Sequence, residues 1–214
     1  MPWLSTGSPI PLQNRVLPSG EIVAIPARGD FTGNRGIIHV ADKELGTSRW
    51  SHHAWICCTL DWQGRKRAVM TGRKWTELFF LDEAVAMAAG HRPCGYCRRA
   101  DYQRFVDAWT AAVGAKPSAK AMDRALHQAR IIKGTRQQKR HHLPVDALPN
   151  GVMIWHANQA HLVQDDTILP FTSTGYTSAR RRPQHAVADV LTPAPMVAAL
   201  EAGYQSALHQ TAHL

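Results

Sequence analysis

The residues with the clearest chemical potential are Cys94 and Cys97, in the run Gly90-His91-Arg92-Pro93-Cys94-Gly95-Tyr96-Cys97. Two cysteines separated by two residues can turn both sulfurs toward one ion. Gly95 relieves the strain of the knuckle and Pro93 stiffens its entry. Zinc takes four nitrogen or sulfur ligands in a tetrahedron, and its thiolate bonds organise the chain around it. Cys94 and Cys97 therefore read as half of a structural zinc site. The competing chemistry is a redox dithiol, which a helix starting after Cys97 would favour by stabilising a thiolate. No strand–helix–strand pattern of the kind redox dithiols occupy surrounds the pair.

The second half of the site is sought upstream, where His52, His53, Cys57 and Cys58 lie close together. Adjacent residues of a strand point to opposite faces. Only one of Cys57 and Cys58 is therefore expected at the metal, and the other in the core as a small apolar residue. His53 and Cys57 are separated by three residues, a spacing a turn can close onto one ion. Cys58 with His52, or with a more distant histidine, is the alternative.

The segment from Phe79 through Asp82-Glu83-Ala84 and Ala88-Ala89-Gly90 to Pro93-Cys94-Gly95-Tyr96-Cys97-Arg98 resembles the metal-binding domain of the Ada alkylation-repair protein. Those domains place an aromatic strand end and a short helix before a Pro-Cys-x-x-Cys knuckle. The resemblance covers residues 79–98. It implies a zinc fold and a role connected with DNA, with His53 and Cys57 best matching the spacing of the upstream ligands. The ligand pairs are further apart here, and no methyltransferase motif or helix-turn-helix follows. Repair activity is therefore not implied. The chain as a whole resembles a bacterial family with no assigned activity, which implies none here.

The charge balance points the same way. Twenty-five Lys and Arg against sixteen Asp and Glu give a formal charge of +9, which attracts polyanions. The basic residues cluster. Arg65, Lys66 and Arg67 lie at a turn, Arg98 and Arg99 beside the knuckle, Lys139 and Arg140 in a polar stretch, and Arg180, Arg181 and Arg182 in a late loop. They are the expected phosphate contacts. Trp62, Trp75 and Tyr176 are candidate stacking platforms. Nucleic acid, DNA before RNA, is the expected partner. A hydrolase acting on nucleic acid is the alternative, with His39, His91, His127 and His156 as the histidines to follow. His127 lies one helical turn after Asp123, which could orient it as a base. No phosphate-binding glycine loop, nucleophile elbow or zinc-protease helix occurs. Whether the protein turns anything over stays open at this point.

The elements that position these residues follow from pattern. The chain has 214 residues, of which 44% are hydrophobic, enough for a core without disulfides. No apolar run approaches the roughly 20 residues of a membrane span, and no export signal is evident, so a cytoplasmic protein is expected. Residues 1–20, with four prolines, read as an extended arm. Strands are expected over residues 21–25, 36–40, 55–62, 67–70 and 75–81, the last three forming a small antiparallel meander. Asp82 caps a short helix that Gly90 stops. Further helices run over residues 98–113 and 118–133. Three short strands over residues 151–171 and a final helix from Thr192 complete the chain. The fold class is α+β, a small antiparallel sheet with several helices and one zinc knuckle. Residues 21–114 form the zinc-binding region, and 115–214 pack with it as one domain.

Overall fold

The computed structural model describes residues 10–65 and 68–213. The first half holds strands β1 (Gln13–Val16), β2 (Ile22–Ala24), β3 (Phe31–Asn34), β4 (His39–Ala41), β5 (Glu44–Leu45), β6 (Ile56–Thr59) and β7 (Leu78–Phe80), then helix α1 (Glu83–Ala88), strand β8 (Arg92–Pro93) and helices α2 (Arg99–Val113) and α3 (Ala119–Arg130). The second half holds β9 (His141–Pro144), β10 (Met153–His156), β11 (Gln159–Gln164), β12 (Thr167–Thr172), β13 (Gly175–Tyr176), β14 (Arg180–Arg181) and β15 (Val187–Val190), then α4 (Ala194–Glu201). The α+β class is thus observed, but the sheets are larger than expected.

One sheet has six strands in the order β2-β1-β7-β3-β6-β8 and is mixed rather than antiparallel. β1 runs parallel to β7, and β6 runs parallel to β8. Both parallel pairs join segments distant in sequence, which local alternation cannot reveal. β1 lies inside the stretch expected to be an extended arm; residues 1–9 of that stretch fall outside the described residues. Of the expected returning strand at 67–70, Arg67 lies outside the described residues and 68–70 form no strand. Val69 and Met70 lie in a turn, and β7 pairs with β3 instead.

The second sheet orders β13-β12-β11-β10-β15-β9, with β14 on β12. Its central hairpins match the three expected strands. β9 directly follows the polar stretch that holds Lys139 and Arg140 and pairs with β15. The expected basic loop around residue 180 contains β14.

Helix α1 lies where the two halves meet, and all six of its residues are buried. Its Ala84, Val85, Ala86 and Ala88 join one apolar cluster with Leu78 and Phe80 of β7 and with Met153, Leu162 and Leu169 of the second sheet, while Met87 joins the other. Fully burying side chains such as Val85 or Leu162 contributes about 1.5–3 kcal/mol each. The Asp82 carboxylate accepts from the Val85 N–H at 2.9 Å, the expected cap. Gly90 stops the helix with φ of +85°. It is required twice, since a Cβ there would meet Arg130 Cδ at 2.4 Å.

The polar framework inside this core is an ion pair. Arg98 donates to both oxygens of Glu83, at 2.8 and 2.9 Å, and from Nε to Asp101 at 2.8 Å. Glu83 also accepts from Tyr204 Oη at 2.7 Å and from the Ala207 N–H at 2.8 Å. Truncating one member strands the other charge in the interior. Glu83→Ala and Arg98→Ala are each expected to lower unfolding free energy by about 3–5 kcal/mol, read as a lower denaturant midpoint.

Candidate metal centre and an arginine-lined cleft

Strand β6 and the knuckle are brought together by backbone pairing. Cys57 lies opposite Pro93 in the parallel β6–β8 ladder, and the Cys94 N–H donates to the Cys57 carbonyl at 2.9 Å. On its other side β6 approaches β3 so closely that a Cβ on Gly33 would lie 2.1 Å from the Ile56 carbonyl oxygen. This packing fixes which way the two adjacent cysteines face.

Cys58 points to the knuckle. The sulfurs of Cys58, Cys94 and Cys97 all lie within 4.8 Å of one another, close enough to hold one metal ion. Tetrahedral zinc with thiolate bonds of about 2.3 Å would set its sulfurs about 3.8 Å apart, so only a small contraction is needed. The Tyr96 N–H donates to Cys94 Sγ at 3.4 Å, a contact that favours a thiolate there. Hydrogen bonds from the Cys58 and then the Cys97 thiol pull Cys94 down to about 2, while donating them drives Cys58 upward. A cation would allow all three to ionise.

Cys57 and His53, also expected at the metal, lie elsewhere. Cys57 is fully buried in the apolar core, with Arg98 Nη1 at 3.5 Å from its sulfur. Burial, and next the nearby Glu83 charge, push its thiol well above the ordinary range. The pleat of β6 decides between the two cysteines, and the spacing from His53 does not. His53 stacks on His127 with ring centroids 3.8 Å apart, in a separate aromatic cluster with Trp50 and Trp55.

The expected phosphate contacts separate into distinct roles. Arg98 is buried in its ion pair with Glu83 and does not face solvent, because the interior carboxylate claims it. Arg65, Arg99, Lys139, Arg140, Arg180 and Arg181 are exposed. Arg182 is half-buried and donates to the Asp146 and Leu148 carbonyls at 3.3 and 3.0 Å. Lys66 and Arg67 lie outside the described residues. Tyr176 is no stacking platform: it is buried and donates to Asp82 Oδ2 at 2.8 Å. Trp62 packs edge-on against Tyr96 of the knuckle, and Tyr96 is 62% exposed.

The histidines do not converge on a catalytic centre among the described residues. His39 is held by Thr76 Oγ1 at 2.7 Å and by the Gly72 carbonyl at 2.8 Å. His91 is buried between Trp55 and Phe80, and His156 lies near His161. Asp123 does not orient His127, because Arg92 takes both its oxygens at 2.7 and 3.0 Å. His127 instead faces Arg130 Nη2 at 3.2 Å.

A cleft that the sequence pattern revealed only in part lies beside this aromatic cluster. Two adjoining cavities of about 820 and 710 Å³ share Arg49, Trp50, Ile131 and Arg136. Lys133 and Lys139 line the outer one. Arg35, Arg130 and Arg140 line the inner one, where Glu21 is the only acidic residue among those described. Arg130, Lys133, Arg136, Lys139 and Arg140 form one basic run from the end of α3 onward, whereas Arg35, just after β3, and Arg49, in the loop before β6, join them only through the fold. Burial, and next the charge of Arg49, lower Arg35 to about 9.

Comparison with protein-family models, curated proteins and solved structures finds no match for the chain.

Two outcomes follow. Cys58→Ser and Cys94→Ser are expected to lose bound metal, whereas Cys57→Ser keeps it, as elemental analysis of the purified proteins will read. Retention in Cys58→Ser with loss in Cys57→Ser would refute the assignment. Burial, and then the charge of Arg130, hold His127 at about 4, below its ordinary value. Its contribution to stability is therefore full above about 6.5 and is lost as pH falls through about 4. Its imidazole resonances in an NMR titration are expected to stay neutral at pH 6.

Proposed function

We propose that the protein binds nucleic acid, DNA in preference to RNA, along the arginine-lined cleft, and that Cys58, Cys94 and Cys97 hold a structural zinc ion. The observation that carries this reading is the lining of the two cavities: seven Lys and Arg side chains against Glu21 alone. Such a surface tracks a polyphosphate backbone through counterion release. Trp50 and Trp155 line it as well, and Arg140 lies 5.1 Å over the Trp155 ring. Both indoles are half-buried, and the part that faces the cavity gives a stacking surface to an unpaired base. The resemblance of residues 79–98 to a metal-binding domain of a DNA-repair protein supports the same partner.

Zinc is the ion that a thiolate-rich site of this kind favours. Three protein thiols leave one of its four positions to another donor. Its role in this reading is to clamp β6 to the start of α2, through a centre distinct from the cleft. The hydrolase alternative finds no support in His39 or His127, whose ring partners are Thr76 and the Gly72 carbonyl in one case and Arg130 in the other.

Fluorescence anisotropy with labelled single- and double-stranded oligonucleotides tests the proposal. Affinity is expected to fall by about a thousandfold between roughly 50 and 200 mM salt, as for about six phosphate contacts. The double variant Arg136→Ala/Lys139→Ala is expected to weaken binding across sequences and to flatten the salt slope by about two. Absence of binding to any DNA or RNA at low salt would remove the proposal.

A further inference from the structure

The inner cavity ends on two arginines that are unusual in their burial and their partners. Arg35 is 2% exposed and Arg130 is 1% exposed. Their guanidinium carbons lie 4.0 and 3.7 Å from the centroid of the Trp55 ring. Arg35 donates from Nε to His91 Nε2 at 3.2 Å and from Nη1 to the Gly20 carbonyl at 3.2 Å. Arg130 donates from Nη1 to the Gly90 carbonyl and from Nη2 to the His53 carbonyl, both at 2.7 Å. Arg35 Nη2 and Arg130 Nε are buried without any partner.

No carboxylate among the described residues pairs with either arginine. Asp123 is committed to Arg92. Glu21 accepts from Ser19 at 3.0 Å in an exposed position. Two buried like charges with orphaned donors are costly unless an anion meets them. The two other buried arginines, Arg92 and Arg98, each have a carboxylate. The difference marks Arg35 and Arg130 as groups waiting for a ligand, with Arg49, Arg136 and Arg140 lining the same cavity.

We infer that the inner cavity is a receptor for a phosphomonoester, carried either by the end of a nucleic-acid strand or by a free nucleotide. Two uncompensated guanidinium charges call for a dianion. A terminal phosphate carries about −1.5 to −2 at neutral pH and offers three acceptor oxygens. A carboxylate carries one charge. An internal phosphodiester also carries one, and its chain must both enter and leave. The cavity of about 710 Å³ has room for an attached nucleoside beside the phosphate. The strand-end source rests on the nucleic-acid reading above; the anion site itself does not.

The test compares oligonucleotides ending in hydroxyl, 5′-phosphate or 3′-phosphate in anisotropy measurements, with AMP and inorganic phosphate as competitors. Thermal unfolding of the wild-type protein with AMP or inorganic phosphate, at ionic strength matched with chloride, gives a readout that needs no variant. A phosphorylated end is expected to bind about tenfold more tightly than a hydroxyl end, with that preference lost in Arg35→Gln. Both phosphate compounds are expected to raise the Tm. If AMP or phosphate stabilises the protein and no oligonucleotide binds, the phosphomonoester site stands with a free nucleotide as its ligand, and the nucleic-acid reading falls. Equal affinity for both kinds of end, with no stabilisation by AMP or phosphate, overturns the inference and leaves strand binding intact.

Discussion

The bidentate pair between Arg98 and Glu83 joins parts of the molecule that the chain keeps far apart. Arg98 leads into α2 directly after the knuckle, and Glu83 opens α1. The same carboxylate holds Tyr204 and Ala207, so the segment after α4 is drawn to the same point. Its neighbour Asp82 accepts from Tyr176 and from the His209 N–H at 3.1 Å. Two consecutive acidic residues at one buried helix start thus gather the knuckle, the second sheet and the C-terminal segment. The guanidinium also lies 4.6 Å from the Phe31 ring centroid, which ties the first sheet to the same charge. Charge in a low-dielectric interior is tolerated only with such full pairing.

That pairing gives a standard against which the other buried cations can be judged. Arg92 meets it through Asp123, and in doing so removes the carboxylate that would have turned His127 into an oriented base. Arg35 and Arg130 do not meet it with any described carboxylate, although both anchor backbone carbonyls. They sit beside Trp55, whose own indole N–H donates to the His52 carbonyl at 3.0 Å. Part of the protein's positive charge is thus built into its interior as well as spread over its surface. An interior charge of that kind is less screened by salt than a surface one.

The local part of the fold was legible in the sequence because its signals are local. Asp82 and Gly90 bracket α1, Ser118 caps α3, and Gly114 closes α2 in the left-handed conformation. The hairpins β10–β11 and β11–β12 announce themselves through short apolar runs and polar turns. The parallel pairs β1–β7 and β6–β8 carry no such mark, because partners in a parallel ladder are set by the tertiary fold. The same division holds at the candidate sites. The knuckle is contiguous and was found by spacing. Its third sulfur depends on strand register, which spacing from His53 does not encode. The cleft joins Arg35, just after β3, to the basic run that begins with Arg130 at the end of α3, and nothing in the sequence around Arg35 marks it as a partner of that run.

The adjacency of Cys57 and Cys58 has a consequence for how the first sheet assembles. A slip of β6 by one residue would turn Cys58 inward beside Phe80 and present Cys57 to the knuckle, since side chains alternate along a strand. Both registers would offer a sulfur, so ligand identity alone does not discriminate between them. What distinguishes them is that Cys57 in the native register occupies a buried site beside Arg98, while Gly33 lies directly against the Ile56 carbonyl. A metal ion at the knuckle would thus accept either register, and the packing around Cys57 and Gly33 has to specify the native one.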